Sequence, residues 1–253
     1  MRIIRFLYKK QVSYGKLEGG TVRILKDGPF PKIELSRSSL PLNKVRLLAP
    51  VSPSKIILAG LNYRDHAREL KMRIPSEPVV FLKPPSALIA HGENIVYPSG
   101  CGRVDYEGEL ALIIKKISRN IAQHKANEYI LGYTCLNDVT ARRLQRKDIQ
   151  WTRAKSFDTF CPLGPWVETS FDPSAADIKT CLNGKIKQAS NTRNFIFPVP
   201  YLVSFISRIM TLYPGDVIST GTPFGVGRLK PGDKVEVYIE GVGRLTNRVS
   251  YGR

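Results

Sequence analysis

The sequence predicts a strand-rich α+β fold, and three features of the 253 residues support this prediction. Short apolar runs of strand length recur along the chain. Gly and Pro turns separate them, most densely in "GDVISTGTPFGVGRLKPGDKVEVYIEGVGRLTNRV". After Pro162 strands dominate, and "VPYLVSFISRIMTL" is the one stretch there with amphipathic helical spacing. Sheets with a few helices are therefore expected.

The first fifty or so residues are predicted to form a small unit. "MRIIRFLYKKQVSYGKLEGGTVRIL" indicates three short strands, with "EGG" as a turn. A stretch rich in Pro, Ser and Gly then runs from Asp27 to about Pro53. We therefore expect a small N-terminal β domain over residues 1–53 and a main domain over residues 54–253.

The main domain is expected to begin with a buried strand over Lys55–Ala59, a turn at Gly60 and a helix in "YRDHARELKMR". "PVVFLKPPSALI" predicts a strand closed by two prolines, and "EGELALIIKKI" predicts another strand. "AQHKANEYILGY" starts with helical spacing. "ARRLQRKDIQWTRAK" is helical at first and then a loop, which places Lys155 in a loop.

The net charge of +18 raises the question of nucleic-acid binding. However, the 39 Lys and Arg are spread along the chain, and no zinc-finger, RNP or helix-turn-helix signature is present. The apolar stretches are too short for a membrane span, and the N-terminus returns to charge too soon for a secretory signal. The four cysteines form no C-x-x-C motif, so free thiols are expected. These observations favour a cytoplasmic protein that binds neither nucleic acid nor membranes.

The stretch "RVDYEGELALII" carries carboxylates at alternating positions, Asp105, Glu107 and Glu109. In an extended strand these side chains share one face. A solvated face is one interpretation, but like charges repel, and the apolar run that follows predicts burial. A hard divalent cation such as Mg²⁺ or Ca²⁺ would compensate the charges. Spacing alone leaves both interpretations open.

Five further residues could take part in chemistry. Asp138, in "LNDVTARR", is either a helix N-cap or an additional ligand. His66 and Glu69 lie three residues apart on a predicted helix, which suits a general base oriented by a carboxylate but equally an ordinary surface pair. Lys83 and Lys155 could hold a substrate carboxylate or stabilise an enolate, or could be solvated cations whose stems pack on apolar neighbours.

In this order and spacing, the segments resemble the fumarylacetoacetate hydrolase family from about Lys55 to Val249. The matching stretches are "GLNYRDHAREL", "PVVFLKPPSALI", "VDYEGELALII", "GYTCLNDVTARRLQ", "WTRAKSFDTFCPLGP", "PYLVSFISRIMTLYPGDVISTGTPFGVG" and "DKVEVYIEGVGRLTNRV". The resemblance implies a mixed β-sandwich roll with a small N-terminal domain, commonly assembled as a homodimer.

The resemblance also implies roles for individual residues. A divalent metal is expected on Glu107, Glu109 and Asp138, a lid helix is expected to carry the His66–Glu69 pair, and Lys155 is expected in the site. The remaining positions that match the substrate pocket of the family are Lys83, Arg142 and Thr222. Asp105 is left at the rim of the site or behind the ligands.

The function implied by the resemblance is metal-dependent conversion of a 2-oxo acid through a metal-stabilised enolate, with Mg²⁺, Mn²⁺ or else Ca²⁺. Hydrolysis of a C–C bond in an acylpyruvate is expected, because both His66 and Glu69 are present. Isomerisation or decarboxylation of 2-hydroxyhepta-2,4-diene-1,7-dioate or oxaloacetate-type acids is the alternative. Arg193 and Asn194 stand where many relatives have small or sulfur-containing residues, which could add an anion contact or alter specificity.

An alternative of a different class is a non-catalytic basic binding protein on the same scaffold. It is disfavoured because all three acids and His66 are intact, whereas an abandoned site would be free to lose buried acids, which are costly to keep.

Overall fold

The computed structural model describes residues 1–252 and confirms the strand-rich α+β architecture, with mixed parallel and antiparallel pairing. The strands, numbered along the chain, are β1 Arg2–Tyr8, β2 Gln11–Glu18, β3 Thr21–Leu25, β4 Leu35–Pro41, β5 Arg46–Leu48, β6 Ile56–Ala59, β7 Val80–Lys83, β8 Leu88–Ile89, β9 Asn94–Tyr97, β10 Val104–Tyr106, β11 Gly108–Ile114, β12 Ile130–Asn137, β13 Thr140–Ala141, β14 Cys161–Glu168, β15 Asp177–Leu182, β16 Lys185–Asn191, β17 Val217–Ser219, β18 Gly227–Leu229, β19 Lys234–Ile239 and β20 Gly243–Tyr251. The α-helices are α1 Arg64–Glu69, α2 Arg142–Lys147, α3 Thr152–Lys155 and α4 Val199–Ile209.

The largest sheet runs through both predicted domains. Its strand order is β4-β3-β2-β1-β14-β12-β11-β17-β6-β7, with β5 paired to β1 and β8 paired to β14. The junction is the antiparallel pair β1–β14, in which Arg2 lies opposite Glu168. The N-terminal ammonium group also forms an ion pair with Glu168. The N-terminal strands therefore extend the main sheet, and the boundary at residue 53 stays a prediction.

A second sheet of five strands, in the order β16-β15-β19-β20-β9, packs against the large sheet near β11 and β12. Strand β11 is buried along its whole length, because it has a core on each face. Leu110 and Leu112 pack in the cluster that contains β15, β19 and α4, and Ala111 and Ile113 pack in the opposite cluster. This two-sided burial explains the uninterrupted apolar run "LALII".

Several local expectations are confirmed and others are wrong. The strand at β6, the helix at α4 and the three N-terminal strands are present where predicted. The stretch Gln123–Tyr129 forms a 3₁₀-helix rather than an α-helix. Lys155 ends the short helix α3 instead of lying in a loop. Asp138 is not the N-cap of α2, because Ala141 occupies that position.

Two further observations bear on the composition. Among residues 1–252, all four cysteines are free thiols, as expected. In the same range, no helix is both long enough and apolar enough to cross a bilayer.

The buried carboxylate of Asp216 fixes the parallel pair of β6 and β17. Oδ1 accepts hydrogen bonds from the backbone N–H groups of Ser54 (3.0 Å) and Lys55 (3.2 Å), and Oδ2 accepts one from the N–H of Tyr213 (2.8 Å). The Lys55 ammonium lies 2.5 Å from Oδ2. One side chain thus holds the N-terminal ends of β6 and β17 in register, with Val217 opposite Ile56.

We predict that Asp216→Ala lowers the free energy of unfolding by about 3 kcal/mol, because it leaves a partly buried ammonium and several N–H groups without their acceptor. Urea denaturation followed by circular dichroism would measure the loss. Glu34→Ala, which removes an exposed carboxylate that pairs with Lys26 and Lys32, is the control and should change the midpoint little. Equal effects of the two substitutions would contradict this account of Asp216.

Candidate active site

One cavity of about 500 Å³ collects almost all residues that the sequence singled out. It lies between α1, the β10–β11 junction, the segment after β12, and helices α2 and α3. Its walls include His66, Glu69, Glu107, Glu109, Asp138, Arg142, Lys155 and Thr222. Lys83 does not line the cavity, because it is buried behind Asp138, with its Nζ 2.8 Å from Asp138 Oδ1.

The acids of "RVDYEGELALII" do not stand on one continuous strand face, contrary to the expectation from spacing. Strand β10 ends at Tyr106 and belongs to a small sheet with β13 and β18, whereas β11 begins at Gly108 in the large sheet. Glu107 lies at the switch between the sheets. Gly108 is required for close packing there, because a Cβ would lie 2.1 Å from Thr180 Oγ1.

Asp138 reaches this point from the neighbouring strand. Its N–H donates to the carbonyl oxygen of Glu107 (2.8 Å), and the Glu107 N–H donates to Asn137 Oδ1 (2.9 Å). The β11–β12 register, with Gly108 opposite Asn137, therefore brings Asp138 beside the two glutamates. Oxygens of Glu107, Glu109 and Asp138 lie within 4.8 Å of one another. We refer to these three residues as the acidic triad.

The acidic triad is almost completely withdrawn from solvent, with exposed fractions of 7% for Glu107 and 1% each for Glu109 and Asp138. Lys155 Nζ lies 2.9 Å from Glu107 Oε2 and also pairs with Asp138 Oδ2. The Lys83 ammonium donates to the carbonyl oxygens of Val139 (3.0 Å) and Phe160 (2.6 Å). The Lys83 ammonium is also close to Asp138 Oδ1, but the angle between them is unsuitable for a hydrogen bond. Asp138 Oδ1 is therefore a buried oxygen that accepts no hydrogen bond from the described residues.

The three carboxyl groups differ in electrostatic surroundings. Burial, followed by the charge of Asp138, raises the pKa of Glu109 well above its usual range. Burial also acts to raise the pKa of Glu107, but the Lys155 ammonium and the Arg142 guanidinium outweigh it and hold that pKa at about 2. Glu109 forms no ion pair within residues 1–252, and its Oε2 accepts hydrogen bonds from Ser219 Oγ and the Gly221 N–H.

The oxygen atoms of the acidic triad suit a hard divalent cation as ligands. The triad offers carboxylate oxygens only, and these are the ligands that Mg²⁺, Mn²⁺ and Ca²⁺ prefer. One of those oxygens, on Asp138, is buried without a hydrogen-bond donor in the described chain. Glu109, in addition, pairs with no cation in residues 1–252, and a buried carboxylate is costly when it is ionised unless a cation compensates it. The acidic triad is therefore able to bind a divalent metal.

Asp105, although it lines the same cavity, stands apart from the acidic triad. Its Oδ1 accepts a hydrogen bond from Arg103 Nε (2.6 Å), and its Oδ2 accepts one from Arg142 Nε (2.9 Å). Arg142 in turn pairs with Glu107. The carboxylate of Asp105 thus orients Arg142, which braces one of the acids of the triad.

Helix α1 carries the second group of the site. His66 Nδ1 lies 2.8 Å from Glu69 Oε2, and Glu69 Oε1 accepts a hydrogen bond from the Gly225 N–H (3.1 Å). When Nδ1 carries the proton that Glu69 accepts, the lone pair of His66 is on Nε2. The adjacent Asp65 accepts hydrogen bonds from Ser190 Oγ and Asn194 Nδ2, which attaches α1 to the end of β16. The pair can therefore act as an oriented base in the cavity.

Arg193, noted in the sequence as an altered pocket position, does not line the cavity. Its Nε donates to Asn191 Oδ1 (3.1 Å), and its side chain is exposed. Asn194 supports α1 through Asp65. Asn194 thus bears on the support of helix α1, and neither residue forms part of the cavity wall.

Gln188 was not identified from the sequence, although it connects both parts of the site. Its side chain is fully buried; Oε1 accepts the Gly108 N–H (3.0 Å), and Nε2 donates to Thr222 Oγ1 (2.9 Å) and to the Pro223 carbonyl oxygen (2.9 Å). Thr222 Oγ1 itself donates to the Gly108 carbonyl oxygen (3.0 Å). One amide thus joins the residue between the two glutamates to the loop that ends at Gly225, the partner of Glu69.

Two family models match this chain. A family model described as "Fumarylacetoacetate (FAA) hydrolase C-terminal" matches residues 55–250. A second model, described as "Rv2993c-like, N-terminal", matches residues 1–50.

Three relatives illustrate the range of activities among similar proteins. The structure of 2-hydroxyhepta-2,4-diene-1,7-dioate isomerase from Mycobacterium marinum is 42% identical, with a TM-score of 0.93 over 99% of this chain and 98% of that chain. The structure of maleylpyruvate hydrolase from Sphingobium sp. SYK-6, in complex with manganese(II) and pyruvate, is 31% identical, with a TM-score of 0.83 over 100% of both chains. Oxaloacetate tautomerase FAHD2A, mitochondrial, of Bos taurus is 42% identical over 223 residues, which cover 83% of this chain and 71% of the relative.

We predict that Gln188→Leu lowers the free energy of unfolding by about 2 kcal/mol, because a buried N–H and buried oxygens lose their partner while the volume is kept. It should also weaken Mn²⁺ binding about tenfold, since Gly108 sets the positions of the glutamates on either side. Isothermal titration calorimetry and urea denaturation would measure the two effects. Lys187→Ala, on the exposed face of the same strand, is the control. If Gln188→Leu bound Mn²⁺ as tightly as this control, the link between Gln188 and the acidic triad would be refuted.

Proposed function

The chain belongs to the fumarylacetoacetate hydrolase family, and we propose that it hydrolyses a C–C bond in an acylpyruvate or a related 2-oxo acid with the help of a divalent metal. The observation that carries this proposal is the meeting of two groups in one cavity. The acidic triad can hold a cation, and the His66–Glu69 pair faces the same space as an oriented base.

The metal is proposed to be Mg²⁺ or Mn²⁺, held by Glu107, Glu109 and Asp138. Mg²⁺ is commonly held by a few carboxylates while it keeps several waters, which suits a triad that faces an open cavity, and Ca²⁺ is the alternative. The complex of the Sphingobium hydrolase with manganese(II) and pyruvate supports a site for both a metal and a 2-oxo acid. When bound, the cation would supply Lewis-acid polarisation of the 2-oxo carbonyl of the substrate.

His66 and Glu69 are proposed to activate water. His66 Nε2 takes a proton from a water molecule, whose oxygen attacks the carbonyl carbon at the far side of the bond that breaks. Glu69, hydrogen-bonded at Nδ1, stabilises the imidazolium that forms. As the C–C bond breaks, its electron pair stays on the carbon next to the 2-oxo group, and the proton that His66 took from water passes to this carbon and completes the second acid. Lys155 stabilises negative charge nearby.

A second candidate reaction is isomerisation of a 2-oxo acid, either keto–enol or of a double bond. The names of two relatives at 42% identity, an isomerase and a tautomerase, favour it over the hydrolase at 31%. Here His66 would carry a proton from carbon to oxygen or to another carbon, and no water would be consumed. Decarboxylation of an oxaloacetate-type acid is a third outcome that the resemblance implies. The homodimer and the cytoplasmic location also stay predictions.

We predict that the purified protein with Mg²⁺ or Mn²⁺ converts acetylpyruvate to two acids, because a base and a candidate metal site face the same substrate space. Loss of the enol absorbance, with product identification by NMR, separates hydrolysis from isomerisation, and oxaloacetate and fumarylpyruvate should be assayed in parallel. His66→Ala should lower kcat by about a hundredfold or more while Mn²⁺ binding is kept. Isomerised products without cleavage would replace hydrolysis by the second candidate, and loss of Mn²⁺ binding in His66→Ala would contradict the division of roles.

We also predict that Glu109→Gln abolishes Mn²⁺ binding without destabilising the metal-free protein. Glu109 is buried beside two other carboxylates and pairs with no cation in residues 1–252, so its neutral isostere removes repulsion from the metal-free fold. Calorimetry should detect no binding, and the melting temperature without metal should be unchanged or higher. A lower melting temperature together with full Mn²⁺ affinity would exclude Glu109 as a ligand. Glu236→Gln, a buried carboxylate away from the cavity, serves as the control.

A further inference from the structure

The arginine and lysine side chains that line the cavity differ in one respect. Arg103 pairs with Asp105, Arg142 pairs with Asp105 and Glu107, and Lys155 pairs with two acids of the triad. Arg146 lines the same cavity, but its side chain forms no ion pair or hydrogen bond with any residue in the range 1–252. Its guanidinium is therefore available to a ligand.

The position of Arg146 follows from the spacing along α2. Residues three and four apart share a helix face, and Arg142, Gln145 and Arg146 all line the cavity. The intervening Arg143 is turned away and donates to the carbonyl oxygen of Gly100 (2.7 Å). Arg142 NH1 donates a hydrogen bond to Gln145 Oε1, whereas the side chain of Arg146 takes no part in the hydrogen bonds of Arg142.

Arg146 and the acidic triad lie at different depths in the cavity. The triad is buried, whereas Arg146 is exposed, so the arginine stands towards the mouth. The wall of the same cavity also includes apolar side chains, among them Phe81 and Trp151, which pack edge to face with ring centroids 5.2 Å apart. A ligand anchored at the triad would thus extend past an apolar wall towards a free cation.

We propose that Arg146 binds a second, distal carboxylate of the substrate, and that the enzyme therefore prefers 2-oxo diacids over 2-oxo monoacids. This inference rests on the proposed function, which places the 2-oxo acid end at the acidic triad. A guanidinium presents parallel N–H donors that match a carboxylate, and such charge-assisted hydrogen bonds are stronger than neutral ones. Arg146 is then a specificity-determining residue, and the apolar wall contacts the carbon chain between the two ends.

Binding of stable 2-oxo acids tests this proposal apart from turnover. The ligands are 2-oxoglutarate and 2-oxoadipate, each matched with the 2-oxo monoacid of equal carbon number, 2-oxopentanoate and 2-oxohexanoate. None of them has the 4-oxo group that C–C hydrolysis of an acylpyruvate requires. Isothermal titration calorimetry on the Mn²⁺-loaded protein at low ionic strength gives their dissociation constants, since salt would screen a charge pair near the surface.

The variants are Arg146→Gln and Lys147→Gln. Lys147 is the next residue of α2, is exposed and does not line the cavity, so its substitution removes the same charge without touching the ligand space. We expect Arg146→Gln to weaken binding of at least one diacid by about tenfold and to leave the monoacids within about twofold. Lys147→Gln should leave both classes within about twofold, and Arg146→Lys should restore part of the diacid affinity.

The outcomes distinguish failure of the role of Arg146 from failure of the proposed function. Monoacids and diacids that bind equally well, with no selective effect of Arg146→Gln, would overturn the role of Arg146 and leave the proposed function standing. Equal losses in Arg146→Gln and Lys147→Gln would also overturn it, because they would indicate a general charge effect. If no 2-oxo acid of either class binds to the Mn²⁺-loaded wild-type protein, the proposed function fails and this inference fails with it.

Discussion

The contact of the Lys155 ammonium with Glu107 and Asp138 is the interaction on which the site depends. Three carboxylates within 4.8 Å of one another could not remain charged in the interior without compensation. Lys155, itself 1% exposed, pairs with two of them, and these two charges raise the pKa of Lys155 against the effect of burial. Arg142 and Lys83 complete the compensation from opposite sides. Two of the three buried acids thus have cations beside them, whereas Glu109 pairs with no cation in residues 1–252.

The fold achieves this placement by combining rigid strands with short, irregular segments. Glu109 belongs to β11, which has a core on both faces, so its position is fixed by packing on either side. Glu107 lies where the chain passes from one sheet to another, and Asp138 follows directly after β12. The lysine comes from α3, a helix of four residues. Acids on strand ends and cations on short helices can thus approach one another without a long loop.

Much of the fold was predictable from sequence, because the spacing of apolar residues indicates which side chains are buried. The strands, the apolar run of β11 and helix α4 follow from spacing, and the acids of the triad stood out as charges beside a buried run. Asp105 could not be separated from them by spacing, since its partner Arg142 is 37 residues away. Four-residue helices such as α3 have too few turns to show a period. Gln188 sits on a hairpin strand whose other side chains are mostly exposed, so no pattern distinguishes it.

Charge balance links the acidic triad to the choice of ligand. Five carboxylates line the cavity: Glu69, Asp105, Glu107, Glu109 and Asp138. The cations facing them are Arg103, Arg142, Arg146 and Lys155, with Lys83 directly behind Asp138. At formal charges the two sets cancel, so the protein alone has little attraction for an anion. A divalent cation on the triad would make the cavity positive by two charges, which matches a dianionic acid. In this arrangement binding of the acid depends on the metal, and Arg146 is the one lining guanidinium among the described residues whose charge no protein carboxylate already uses.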